Sequence, residues 1–517
     1  MGETISLKDR WQCITSTLFE KQDGASLAVF RIVLGVLLMR DFLHGFPYIK
    51  RGAQYSFTDF KASFHGFEWV QSNPVLIELF VYILPIAALC VILGLFYRLV
   101  MPITTIIVMY FFIIAPENYL NHYYMLLLYL GLMSLMPANR VWSIDSYIRT
   151  RIGKNKKTRD DTVPGWCYWA LKLQTEIILI FAGLVKINPD WLQLQPLGTW
   201  IRPDLLDIPY VGWLFFFDAP IALGAYGVIA LHIIGAPLLL KRATRPWVFA
   251  LYACFHVANA QLFHIGIFPY MTIAATLLFF DPDWPRRIIN KVRRSRGQKL
   301  YIGGNIKYSK SYRIVMMSFI SLWLFVQILI PMMALWHTNL ETAWKGHLDN
   351  FTWRMMLNDK AVYTASFVVD MPEINKVAFV PAENYLSKRQ CFRITTMPNM
   401  AIQYTQYLKR VYQREFQTEN VSVHAYIKMS VNYREPEIWA DPTVDLASKQ
   451  PIWGAHDWIM PVTKRLRSWR QYVRSPKYIP PTYGKILREM NIPSDRDIVF
   501  NKEDVDIQSA AVVPKCG

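Results

Sequence analysis

Six cysteines are scattered through 517 residues, too few and too far apart for a disulfide scaffold. No HxxxH, CxxC or HExxH spacing occurs, so the usual zinc-ligand patterns are missing and no metal centre is expected. A glycine-rich phosphate loop and a G-x-S-x-G turn are also missing, which removes P-loop nucleotide chemistry and the common serine hydrolases. Charge is sparse. Asp, Glu, Lys and Arg make up 18% of the chain, against about 25% in a soluble protein. Apolar residues reach 53%, concentrated in runs of roughly 17–25 residues, the length of a bilayer-crossing helix. This distribution excludes an ordinary soluble enzyme.

Nine apolar spans are expected, near 25–44, 74–97, 99–116, 121–137, 167–187, 211–240, 246–262, 264–280 and 314–336. The segments on the N-terminal side carry 24 Lys/Arg against 8 Asp/Glu, which accounts for +16 of the chain's net +18. That is the positive-inside bias, and it argues against a nucleic-acid partner. The N-terminus (1–24) is therefore expected in the cytoplasm and residues after 337 on the periplasmic, extracellular or lumenal side. Residues 1–24 are polar and the first apolar run is long enough to anchor, so no cleavable signal peptide is expected. Cys391 and Cys516 face outward, where one disulfide is allowed but not required.

After the membrane region (25–336) the periodicity changes. Residues 421–433, VSVHAYIKMSVNY, alternate as a half-buried strand, and 361–370 and 376–381 also read as strands. Tyr404, Tyr407, Leu408, Val411 and Tyr412 recur at helical spacing. The expected fold is a polytopic α-helical membrane protein with a small extracytoplasmic α+β domain at 337–465. The Pro-rich, charged tail (466–517) is expected to be disordered.

Several polar residues converge at the outward mouth of the bundle. Asn121 and His122 open the fourth span, Lys186 closes the fifth, and His256, Asn259, Gln261 and His264 surround the turn between the seventh and eighth. Each alone has a structural reading: the lysine snorkels, the histidines sit at the interface, the amides join helices. Together they form a polar pocket in an apolar bundle. Desolvation disfavours a charged lysine, so Lys186 in such a pocket can act as a general base. Lys172 and Glu176, four apart in the fifth span, read as a structural ion pair.

Several stretches in fixed order carry a resemblance: NHYYMLLLYLGLMSLMPANRVWSID (121–145), FAGLVKINPDW (181–191), HVANAQLFHIGIFPYM (256–271), DPDWPRR (281–287), Trp353-Arg354-Met355-Met356, and DPTVDL (441–446). Over about residues 25–465 the chain resembles the vitamin K-dependent γ-carboxylase family, with its HTTM-type membrane domain, in wording closer to the bacterial branch. The resemblance implies that Lys186 is the catalytic base and His122 the histidine beside it, and that Trp353 and Met356 lie on the glutamate side. Lys186 would deprotonate reduced vitamin K, a menaquinol- or phylloquinol-like lipid, whose anion reacts with O2. The strong base so formed would take a γ-proton from a peptidyl glutamate, and the carbanion would capture CO2. The partners implied are the bilayer, the lipid-soluble quinol and a glutamate-containing secreted protein or peptide.

The chain departs from the animal enzymes of that family. It stops within their outer region and lacks the cysteines joining their membrane and outer parts. Asp349 and Asn358 replace a tyrosine and a histidine used near the glutamate. Quinol epoxidation without protein carboxylation is the alternative this suggests. A non-enzymatic binding or transport module is the competing class, although the inverted repeats and broken helices of transporters are missing from the sequence.

Overall fold

The computed structural model describes residues 7–43, 59–152, 160–263, 265–292, 308–380, 385–473, 478–493 and 495–500. Helices form at all nine expected places. They are α1 (Ala25–Leu43), α2 (Pro74–Leu93), α3 (Tyr97–Ile114), α4 (Asn121–Leu135), α5 (Trp166–Leu184), α6 (Asp218–Leu239), α7 (Arg245–Leu262), α8 (Phe268–Leu277) and α9 (Lys310–Leu335). Among the described residues only α2, α3, α5, α6 and α9 are long and apolar enough to cross a membrane, so the expectation of nine spans is not met. The others fall short for identifiable reasons. Helices α4 and α8 have 15 and 10 residues, α1 carries Arg31, Arg40 and Asp41, and α7 carries several polar side chains.

Packing allows this polarity. Arg31 is wholly buried and donates to the carbonyl oxygens of Ala138 (2.7 Å), Trp142 (2.6 Å) and Ile92 (3.3 Å), satisfying chain ends that hydrocarbon could not. The axis of the bundle is α5, of which 72% is buried against 17% for α9. On α9, Val315, Leu322 and Phe325 are exposed, the outward apolar surface that lipid would cover. At the N-terminal end of α5, Arg286 clamps two buried carboxylates, Asp23 (2.7 Å) and Asp161 (2.8 Å). Helix α6 is interrupted by a π-helical turn at Leu231–Gly235.

The C-terminal domain contains β1 (Lys360–Met371), β2 (Lys376–Val380), β3 (Ser422–Val431), β4 (Glu437–Ile438) and β5 (Asp497–Phe500), in sheet order β4-β3-β1-β2-β5. Helix α10 (Pro398–Phe416) packs Tyr404 and Leu408 on one face, against Phe367 and Val423. Two expectations fail here. Strand β3 is buried on both faces, and the described part of the tail is folded. Helix α11 (Tyr483–Glu489) lays Ile486 and Leu487, followed by Met490 and Ile492, against Val368, Val377, Phe379 and Tyr426, and β5 then pairs in parallel with β2. The tail's few apolar residues fall where they can close the second face, which its overall composition hides. Residues 501–517 lie outside the described residues. Cys391 is buried and disulfide-bonded, whereas Cys13, Cys90, Cys167 and Cys254 are free.

Candidate active site

Helix α5 ends at Leu184, earlier than the expected 187, so Lys186 stands in the turn beyond the span. The next residues build its frame. Asn188 caps a short helix, accepting from the Trp191 backbone N–H (3.1 Å), and Pro189 starts it. The Trp191 indole donates to the Ala225 carbonyl (3.1 Å), holding its ring 5.2 Å from the Lys186 amine. Lys186 Nζ donates to the carbonyl oxygens of Ala182 (3.0 Å) and Met355 (3.2 Å). Lys186 is 5% exposed, and burial pushes its ammonium down to about 8. A neutral amine has two N–H donors and one lone pair, so two carbonyl acceptors leave the lone pair free to take a proton.

The Met355 carbonyl comes from the chain after α9, so the roof of the site is built by residues 348–357. Leu348, Phe351, Trp353 and Met356 all have positive φ (54°, 66°, 58° and 57°), a costly conformation for bulky residues that persists only where surrounding contacts enforce it. Those contacts are present. Phe351 N–H donates to the Tyr119 hydroxyl (2.7 Å), the fully buried Trp353 ring stacks on Tyr124 at 5.0 Å, and Leu357 packs with Val185, Trp191 and Ala225.

A second anchor lies beside Lys186. Asp190 receives both terminal nitrogens of Arg434 (2.7 and 2.8 Å) and the Asn432 amide (2.8 Å), all three residues being buried. Removing one partner of such a pair costs about 3–5 kcal/mol. Arg434→Ala is therefore expected to lower the thermal midpoint of the detergent-solubilised protein and loosen the roof, whereas the exposed Lys464→Ala should leave both unchanged. A melting curve for each variant checks this.

Other predicted residues are placed less uniformly. His122 is half-buried in the first turn of α4, its ring 4.4 Å from Tyr123. Gly266, at φ +60°, comes so close that a Cβ there would meet His122 Nε2 at 3.3 Å, so the turn after α7 does abut the mouth of α4. Asn121 Oδ1 accepts from the Tyr119 hydroxyl (3.1 Å), which links it to Phe351. No hydrogen bond joins His122 to Lys186 among the described residues; the 351–357 segment reaches from Tyr119 and Tyr124 to Lys186. His256 is fully buried among Tyr252, Phe255 and Phe268. Asn259 is half-buried and Gln261 exposed at the helix end, and His264 lies outside the described residues. Trp353 is in the site, but it is the carbonyl of Met355, not Met356, that meets the lysine.

Sequence reasoning missed Asp190, Arg434 and His232. The first two are 244 residues apart, and His232 lies in an apolar span. The expected Lys172–Glu176 pair does not form: Lys172 lies 5.6 Å from the Trp169 ring, and Glu176 Oε1 is buried with no hydrogen-bond partner among the described residues. On the outer side, Asp349 is held by Lys360 (3.3 Å) and by Asn358 (3.4 Å), and Asn358 by Asn339 (3.2 Å). Among the described residues no group of three or more His, Cys, Asp or Glu side chains is placed to hold a metal ion.

Two family models match the chain. The HTTM domain matches residues 19–284, and the vitamin K-dependent gamma-carboxylase lumenal domain matches residues 312–465. No solved structure matches it.

Proposed function

The chain belongs to the vitamin K-dependent γ-carboxylase family, and from that premise we propose that it oxygenates reduced vitamin K to the epoxide and drives γ-carboxylation of a peptidyl glutamate. The observation that carries this reading is Lys186: a buried amine with both N–H groups satisfied by carbonyl oxygens, just past the C-terminal end of a helix long and apolar enough to cross a membrane, under a roof from residues 348–357. The neighbourhood fits a lipid-soluble aromatic ring. Trp191, Tyr124 and Trp353 supply aromatic walls. Bound there, the quinol would supply the reducing equivalents for O2 and, with them, the strong base. The protein's part is proton handling and exclusion of water. Lys186 Nζ takes the quinol proton, the Met355 carbonyl and the Trp191 face hold the amine in place, and His122 orients the quinol oxygens from the α4 side. O2 and CO2 enter as co-substrates, and the glutamate approaches from the outer domain.

The reading sets an orientation. The basic segments would lie in the cytoplasm and residues 337–517 outside. A disulfide at Cys391 suits an oxidising compartment. In a cysteine-free background, Arg410→Cys is expected to react with an impermeant maleimide in intact cells and Asn155→Cys only after the membrane is opened. Labelling of Asn155→Cys in intact cells would reverse the topology.

The two halves of the reaction separate on the glutamate side. The Lys360 ammonium already faces the Asp349 carboxylate, so a peptide glutamate would meet an anion there. Epoxide is expected to form from reduced vitamin K while an arbitrary glutamate peptide is carboxylated poorly, as measured by epoxide and fixed ¹⁴CO2 in one reaction. Stoichiometric carboxylation of an arbitrary peptide would refute the role given to Asp349. Absence of epoxide from the folded protein would refute the enzyme reading and favour a quinol-binding module.

A further inference from the structure

Below Lys186 the bundle contains buried polar groups that the proposed reaction leaves unused. His232 sits in the π-helical turn of α6 and is 4% exposed. Such turns are rare inside helices and concentrate at functional sites. Its Nδ1–H donates to the Val228 carbonyl (2.9 Å), so in the neutral ring Nε2 carries the lone pair. Gly183, three residues before Lys186 on α5, makes the approach possible: a Cβ there would stand 2.8 Å from the His232 Cβ. His232 thus packs on α5 at Gly183, and its ring meets Phe255 (5.4 Å), which in turn meets His256 (5.0 Å). The Tyr252 hydroxyl donates to the Leu231 carbonyl at the π turn (2.9 Å), and its ring lies between the His232 ring (5.7 Å) and the His256 ring (6.0 Å). Tyr252 also packs in one cluster with Leu179, a turn after Glu176 on α5, and Glu176 lies eight residues, about 12 Å, before the end of that helix.

Three atoms of this line, His256 Nδ1, His256 Nε2 and Glu176 Oε1, are buried without a protein partner among the described residues. Buried polar atoms are satisfied by protein or by ordered water, and among the described residues no protein group serves these three. Resting on the enzyme reading above, we propose that His232, Tyr252, His256 and Glu176 form a water-bridged line that carries the proton taken up by Lys186 toward the basic, N-terminal end of the bundle. The reaction balance requires an exit. Coupled turnover converts quinol, O2, CO2 and a glutamate C–H into epoxide, water and a new carboxylate, with one C–C bond formed. Of the two quinol protons and the one γ-proton, water keeps two and the third leaves. These side chains are positioning residues, because they act through Lys186.

Two measurements test the line. The first needs no quinol: radiolytic hydroxyl footprinting of the full-length protein in lipid vesicles. Tyr252 and His256, both at 0% exposure, are expected to be oxidised by adjacent bound water, and His232→Leu should suppress that labelling. If both residues stay unlabelled in the wild-type protein, the line is dry and the proposal is overturned, whatever the activity. The second is pre-steady-state epoxidation. At about pH 9, where Lys186 starts mostly neutral, His232→Gln and Glu176→Gln should complete a first turnover and then slow roughly 10²-fold in the steady state. Equal slowing of both phases in a variant whose melting curve matches the wild type, or an unchanged steady-state rate, overturns the proposal. A wild-type protein that makes no epoxide would count against the enzyme reading instead, leaving footprinting to decide the line.

Discussion

Lys186→Met is expected to remove epoxide formation and any carboxylation together, by about 10²-fold or more, the scale of losing a positioned general base. The substitution keeps much of the side-chain length and deletes the lone pair. A quinol hydroxyl resembles a phenol, with a pKa of about 10. An ordinary lysine, near 10.4, is neutral at pH 7 in only a few molecules per ten thousand. With the ammonium lowered to about 8 by burial, roughly a tenth is neutral at pH 7. The sign follows: activity should rise with pH through about 8 as the amine loses its proton, and this limb should be missing from any residual activity of Lys186→Met. Lys186→Arg separates the base from a mere charge, because a guanidinium stays protonated throughout and should fail as completely. Near-normal epoxidation by a folded Lys186→Arg protein would make the residue an anchor and end the proposed mechanism.

His122→Ala is expected to lower turnover by about 10²–10³, as when one donor to a developing anion is lost. The close approach of Gly266 offers a second way to move the same ring. Gly266→Ala adds a Cβ 3.3 Å from His122 Nε2 at a backbone φ of +60°, so it should displace the imidazole and reproduce part of the loss without deleting it. Epoxidation measured at matched expression decides the matter, and an unchanged rate in both variants would return His122 to an interfacial role.

The membrane region could be read from the sequence because burial in hydrocarbon demands long apolar runs, and each of the nine places did become a helix. What could not be read was which helices face lipid. Arg31 marks the difference: a charge at the core of α1 is tolerated because four neighbouring carbonyls surround it, and those carbonyls come from residues 61 to 111 positions away. The site was legible where its chemistry is local, in the Lys186-to-Trp191 turn, where cap, proline and indole follow one another. It was not legible where two distant segments meet, as at Asp190 with Arg434. His232 was invisible for another reason, because only the π turn and the missing side chain at Gly183 bring it beside the lysine.

The tail bears on how the molecule is made. The last strand of the sheet and the helix beneath it are made after every other strand of that sheet. Between Val431 and Asp497 the ribosome, at about 5–20 residues per second, needs several seconds. During that interval Val368, Val377, Phe379 and Tyr426 leave an apolar plane uncovered. A version shortened to residue 465, the end of the lumenal-domain match, would never cover it. Such a protein should insert and even assemble its bundle, yet be captured by chaperones or clump through that plane. Expression trials should therefore retain the chain at least through Phe500, with any purification tag placed at the other terminus.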